Sequence, residues 1–310
     1  MKNIIYKSGI IVVVMALIAG CTEAIDFNGK ATAPYAVLIS DNYPDSAVKL
    51  HLSWSRFFLE DNDEPYKTID NADIQLMQNG MMASQTSVEN GDYFFDCIPA
   101  EGDSLSVSVN IPGYERGTLS ASTVIPHYPD IKIISCTAKK TVDSYGDSVK
   151  IYTFKFSIND PVGDNYYKMQ LRYNTYTDST WYSQCRFSCA DPMIVESGDM
   201  ISTLEGSDDI YPYIYFKDSY FEGQTHTITI ESTFYSYSFV PEPYNFQLVF
   251  TSLNAPTYQY FKSIETMSNS SSLSFFNEPV QVICNIENGI GLFGGMATKH
   301  FDIKSPYADI

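Results

Sequence analysis

Residues 104–110 read Ser104, Leu105, Ser106, Val107, Ser108, Val109, Asn110. Successive side chains of a β-strand point to opposite faces, so Leu105, Val107 and Val109 share one face and the serines the other. A helix would scatter the same apolar residues around its circumference, and the stretch therefore predicts a half-buried strand. Upstream, Val48, Leu50, Leu52 and Trp54 alternate with Lys49, His51, Ser53 and Ser55 in the same way. Asn79 and Gly80 suit the positive backbone angles of a type I′ hairpin turn, and Asn90 and Gly91 offer a second one. Strands expected near residues 35–40, 47–55, 72–78, 81–86, 92–97, 104–110 and 118–125 number about seven, as in an immunoglobulin-like sandwich; a transthyretin-like sandwich fits the same pattern.

Pro126 and Pro129 flank His127 and Tyr128 as a linker, which places a domain boundary between residues 34–126 and 127–310. Beyond it, Tyr152, Phe154, Phe156 and Ile158 alternate with Ile151, Thr153, Lys155 and Ser157, until Asp160 to Asn165 breaks the pattern. Further strands are expected near 166–173, 211–216, 225–232, 245–253 and 280–286. One short helix interrupts them: Pro256 suits a first turn, and Tyr260, Phe261, Ile264 and Met267 recur at helical spacing as a core stripe. The fold class is thus mainly β, a first sandwich followed by a second β-rich sandwich with one short helix. Gly289, Gly291, Gly294 and Gly295 lack the lysine and following helix of a phosphate loop, and read as tight turns and close backbone packing.

The amino end carries Lys2 and Lys7, an apolar run from Ile10 to Ile18, then Ala19, Gly20 and Cys21. Such a run is too short for an ordinary membrane-spanning helix and reads as a signal peptide over residues 1–20. Ile18, Ala19, Gly20 and Cys21 resemble the bacterial lipobox, in which the cysteine is acylated with chains such as palmitate and becomes the new amino terminus. Residues 21–33 then form the lipidated cysteine and its tether to the bilayer. Several acyl chains on one residue hold firmly where a single chain gives only marginal binding.

The chain has 19 Lys and Arg against 37 Asp and Glu, a formal charge of −18. Loss of Lys2 and Lys7 with the leader makes it about −20. A surface of this sign repels phosphate backbones, which excludes nucleic acid as a partner. Cys97, Cys136, Cys185, Cys189 and Cys284 remain beside the acylated cysteine. Their spacing is unlike a disulfide framework, and only Cys185 and Cys189 are near enough in sequence for a candidate local disulfide. His51, His127, His226 and His300 share no ligand spacing, so no metal and no cofactor is expected. His226, alternating with Ile228 and Ile230, reads as partly buried and satisfied by a neighbour. Asp61, Asp63 and Glu64, and Asp160 with Asp164, read as solvated acidic turns. No serine sits in a nucleophile elbow and no cysteine carries a protease signature, so the chain is read as a non-enzyme. Tyr211, Tyr213 and Tyr215, with Tyr235 and Tyr237, are the candidate ligand or partner surface; core filling is the other reading of the same alternation.

A closing block runs from Glu278, Pro279, Val280 and Gln281 through Asn285, Ile286, Glu287, Asn288, Gly289, Ile290, Gly291, Leu292, Phe293, Gly294 and Gly295. It resembles the Bacteroidota lipoprotein family called domain of unknown function 4249. Ser53 to Phe58, then Pro112, Gly113 and Tyr114, then Asp160, Pro161, Asn165, Tyr166 and Tyr167, and finally Tyr258 to Glu265, resemble the same family in the same order. Cys284 stands where a small polar residue is expected. Members are commonly encoded beside TonB-dependent outer-membrane receptors, and the family has no established catalytic residues to carry over. The resemblance implies an outer-membrane, lipid-anchored accessory or ligand-binding partner of such a transporter in nutrient uptake. The alternative is a structural or adhesive surface lipoprotein, and a hydrolase with an unrecognised site is a third class.

Overall fold

The computed structural model describes residues 34–56, 66–143, 145–175, 181–192, 212–235, 243–270 and 281–306. Cys21, the leader and most of the tether lie outside them, as do Asp61, Asp63 and Glu64. Apart from Pro34 and Arg56, the described residues belong to one unit.

Alternation produces the strands it predicts. In β7 (Ser104–Asn110), Leu105, Val107 and Val109 are buried. β7 lies between β3 (Asp73–Gln78) and β8 (Leu119–Val124), with β4 (Met81–Met82) beyond β3, in a four-stranded sheet. Asn79 and Gly80 join β3 to β4 with φ of 50° and 79°, the two positive angles of the expected turn.

A larger sheet faces both sandwich interiors. Its order is β12 (Tyr182–Cys185), β11 (Tyr166–Thr175), β16 (Pro243–Leu253), β17 (Ile290–Lys304), β1 (Ala36–Asn42), β2 (Lys49–Trp54), β6 (Asp92–Asp96) and β5 (Ser84–Glu89). β14 (Tyr213–Lys217) also pairs with β11. A second four-stranded sheet runs β13 (Ser188–Cys189), β15 (Thr225–Tyr235), β10 (Ser148–Asn159), β9 (Ile131–Val142).

Two cores fill the space between the sheets. Leu38, Leu50, Leu52, Tyr93, Val107 and Val109 belong to the first; Tyr152, Phe154, Phe156, Met169, Phe216 and Phe250 belong to the second. The cores divide in sequence at the Pro126–Pro129 linker, with one exchange. Ile286 and Phe293, from the far end of the chain, pack into the first core. β17 makes this possible. Its first part pairs in parallel with β1, from Val37 opposite Ile290 to Asn42 opposite Gly295, and its second part pairs antiparallel with β16, from Leu253 opposite Met296 to Asn245 opposite Lys304. One strand therefore serves both sandwiches.

This corrects the expected last strand near 280–286, because residues 281–286 adopt no strand. Of the glycine cluster, Gly289 lies in the bend that leads into β17, whereas Gly291, Gly294 and Gly295 are in the strand itself. A Cβ on Gly291 would run into the Leu38 carbonyl and one on Gly295 into the Val124 carbonyl, while one on Gly294 would stand 2.9 Å from Thr257 Oγ1. The glycines let backbone approach backbone, which is the close packing their spacing implies. β9 was not legible from alternation. It is an edge strand whose Lys132, Lys139 and Lys140 interrupt the apolar pattern, as edge strands commonly do.

The helix, α1 (Ala255–Ser270), begins where expected. Asn254 caps it: Oδ1 accepts from the Thr257 amide at 3.1 Å and from its hydroxyl at 2.6 Å. Its buried side is not the expected stripe. Thr257, Tyr258 and Ser263 are buried, whereas Met267 is 42% exposed. The helix lies against the sheet face turned away from both cores, where Gly294 leaves room for Thr257, so its packing side is narrow. No helix among the described residues is long and apolar enough to cross a membrane.

Replacing Gly295 with alanine is expected to cost roughly 1–3 kcal/mol, the usual range for overpacking. A urea melt of the intact protein measures it, and an unshifted midpoint would show that the Val124 carbonyl can move aside.

Candidate functional site

The inner side chains of β11, Tyr167, Met169 and Leu171, are committed to the second core. Strand alternation then turns Lys168, Gln170 and Arg172 to the opposite face. Register sets their neighbours. Lys168 lies opposite Thr251, which lies opposite Thr298; Gln170 lies opposite Val249 and then His300; Arg172 lies opposite Gln247 and then Asp302. Tyr43, Pro44 and Ser46 after β1, and Tyr128 from the linker, wall the far side. Together they enclose an open depression of ≈ 390 Å³.

Hydrogen bonds hold the floor. Thr251 and Thr298 join hydroxyl to hydroxyl at 2.8 Å. Gln247 donates from Nε2 to Asp302 at 2.9 Å, and because a carboxylate only accepts, this orients the amide with Oε1 toward His300. Oε1 in turn can only accept, so His300 Nδ1, 3.0 Å away, carries the proton and Nε2 is left as an acceptor. Burial, reinforced by the nearby Arg172 charge, lowers the His300 pKa and favours this neutral ring.

The cations are held differently. Lys168 Nζ lies 5.0 Å from the Tyr213 ring centre and 5.4 Å from that of Tyr215. Desolvation lowers its pKa, the Arg172 charge lowers it further, and the fields of Asp41 and Glu265 oppose both. Arg172 reaches Gln170 Oε1 at a long 3.4 Å, and its Nε is buried without a partner. Neither cation forms a salt bridge with a described residue. The side chains lining the depression include Lys168, Arg172 and His300 but no carboxylate.

The tyrosines singled out from sequence separate. Tyr215 is 6% exposed, stacked on Phe261 of α1 at 5.8 Å and 13°. Tyr213 is half-buried beside it, with ring centres 5.4 Å apart. Tyr235 is exposed on β15, in the other sheet, so it is not brought to the same place. Tyr211 and Tyr237 lie outside the described residues. Lys168, Gln170, Arg172 and His300 escaped sequence reading. The alternation of Lys168, Gln170 and Arg172 with buried Tyr167, Met169 and Leu171 was the available signal, whereas His300 sits in a stretch where no strand was expected.

Cys185 and Cys189 are unbonded thiols, which corrects the candidate disulfide. They lie on strands of opposite sheets, β12 and β13. Ser232 donates its hydroxyl to the Arg186 carbonyl at 2.6 Å, so the Cys185 thiol donates to Ser232 Oγ at 3.3 Å, while Cys189 donates to the Thr229 carbonyl at 3.4 Å. Burial pushes the two thiols up to about 12 and about 11 respectively. His226 finds its neighbour in Asp191 at 2.8 Å and stacks on Phe221. Asp160 is buried instead of solvated, accepting from Tyr167 Oη at 2.6 Å and the Gly223 amide at 2.9 Å. No group of metal ligands occurs among the described residues.

The family model described as Domain of unknown function (DUF4249) matches residues 23–301. No curated protein matches the chain. Among solved structures, a β-glucuronidase from Bacteroides uniformis aligns at 9% identity and a TM-score of 0.20, over 67% of this chain and 30% of that one. A trypsin-activated alpha-2-macroglobulin from Escherichia coli aligns at 12% identity and a TM-score of 0.19, over 72% of this chain and 15% of that one. The chain thus spans less than a third of either protein.

Maleimide labelling of the intact protein at neutral pH should modify exposed Cys284 first and leave Cys185 and Cys189 unmodified until unfolding. After unfolding without reductant, both should label. Failure of this pair alone to react would mean that they are disulfide-bonded.

Proposed function

We propose, from the premise that the chain belongs to the family described as domain of unknown function DUF4249, that it is an outer-membrane lipoprotein anchored through acylated Cys21. It acts without catalysis, as a ligand-binding accessory of a TonB-dependent transporter in nutrient uptake. The observation that carries the ligand-binding part is the polar depression across β11, β16 and β17. Its side chains stand on neighbouring strands of one sheet, and a rigid floor binds a solute with little ordering cost. Its open mouth suits capture followed by release. The Thr251 and Thr298 hydroxyls bond each other and His300 Nδ1 is held by an amide, an arrangement suited to holding a ligand and not to activating a nucleophile.

A structural or adhesive surface role is the second reading. It is favoured by the hairpin tip, where Met81 and Met82 are 71% and 64% exposed beside the Asn79–Gly80 turn.

A mild-detergent pull-down from native outer membranes, using a carboxyl-terminal tag, separates the two. A TonB-dependent barrel in stoichiometric amount is the expected result. A lipoprotein that purifies without a barrel, yet still binds surfaces, would overturn the transporter reading in favour of adhesion.

A further inference from the structure

We infer that the depression on the outer face of the large sheet is a binding site for a small oxyanion, a carboxylate or phosphate ester, gripped between Lys168 and Arg172. The inference rests on the ligand-binding reading above but not on the transporter.

Charge is the first argument. Acidic residues outnumber basic ones 37 to 19 along the chain, yet the lining of this depression contains a lysine and an arginine and no carboxylate. Asp41 on β1 and Glu265 on α1 act on Lys168 from a distance, and Asp302 acts on His300, but none of the three forms a salt bridge with Lys168 or Arg172. A concavity with low-dielectric walls and cations but no carboxylate on its lining concentrates anions from solution.

Geometry is the second. Lys168 and Arg172 lie four residues apart on one face of a strand, about 13 Å between their α-carbons, both line the depression, and the field of Arg172 disfavours the charge on Lys168. Two like charges facing one depression and partly desolvated are costly unless something negative sits between them. Arg172 still lacks a partner for Nε, and its contact to Gln170 is at the limit of a hydrogen bond. A guanidinium fork is shaped for a planar carboxylate or a phosphate. Tyr213 and Tyr215 cover one side of the Lys168 ammonium, leaving its other donors for the depression.

The remaining lining describes the rest of the ligand. Gln170, Thr298 and the free Nε2 of His300 present donors and acceptors, and Tyr43 and Tyr128 present aromatic walls. The volume of ≈ 390 Å³ sits at the lower end of small-molecule sites. The occupant is therefore a compact polar molecule with an oxyanion on the β11 side.

The test is calorimetric titration of the intact acylated protein, in detergent at low ionic strength, with citrate and with inorganic phosphate; glycerol is the neutral control. Citrate is expected to bind, to weaken as salt rises, and to lose at least about tenfold in affinity in Lys168→Gln and in Arg172→Gln. Lys155→Gln, an exposed lysine on β10 in the other sheet, is expected to leave binding unchanged. Displacement of citrate by phosphate would identify a phosphate-type ligand, and citrate binding that phosphate cannot displace a carboxylate. A citrate-dependent rise in the wild-type Tm, absent with glycerol, tests the site even if a variant fails to fold. No binding of either anion at millimolar concentration, or citrate affinity unchanged in Arg172→Gln, would overturn the inference. Citrate binding without a co-purifying barrel would remove only the transporter, whereas a barrel with no anion binding would remove only this site.

Discussion

The fold depends on one strand being allowed to lie closer to its neighbours than side chains permit. β17 is parallel to β1 along its first part and antiparallel to β16 along the rest, and so closes the large faces of both sandwiches at once. Gly291 approaches the Leu38 carbonyl, and Gly295 approaches the Val124 carbonyl and donates its amide to Thr257 at 3.0 Å. A larger residue at these positions would push the strand away from the first sandwich or lift the helix off the sheet. Phe293, between them, then reaches the first core from the opposite end of the chain. Such a pairing is among the most sequence-distant a chain of this length can make, which places its closure late on entropic grounds.

The same strand assembles the polar depression. Thr298 and His300 are on β17, Tyr43 follows β1, and Lys168, Gln170 and Arg172 are two strands away across β16. None of these segments is near the others in sequence. The register of β16 with both neighbours sets which residue faces which, and a slip of one residue would turn Arg172 and Lys168 into the core. The site is thus as rigid as the sheet.

Sequence reading was strongest where alternation is undisturbed. The half-buried strands β2, β7 and β10 and the Asn79–Gly80 turn carry their signal locally, because burial on one face demands a period of two. It failed at β9, where lysines on an edge strand erase the period, and at β17, where glycines look like punctuation. A strand reads as glycine-rich for a reason that lies in its neighbours, and neighbours distant in sequence are invisible to a local pattern. The candidate site was only half legible for the same reason. Tyr213 and Tyr215 were noticed as a stripe, and they do flank Lys168, but α1 stacks Phe261 over Tyr215 and turns the pair into a wall. The cations they support belong to a different strand.

That arrangement bears on whether the depression exists for stability or for binding. A cation serving stability would be expected to have a direct carboxylate partner, as Lys262 does with Glu265 at 2.5 Å. Lys168 instead has ring faces and a repelling arginine, and Arg172 has a buried donor left over. Replacing a poorly paired buried charge by an apolar residue of similar volume is commonly neutral or stabilising. Two such residues on one face of β11, both turned to the same depression, make the fold less stable than it need be. An anionic ligand resolves the contradiction, because its charge supplies in the bound state the partner that the protein itself withholds.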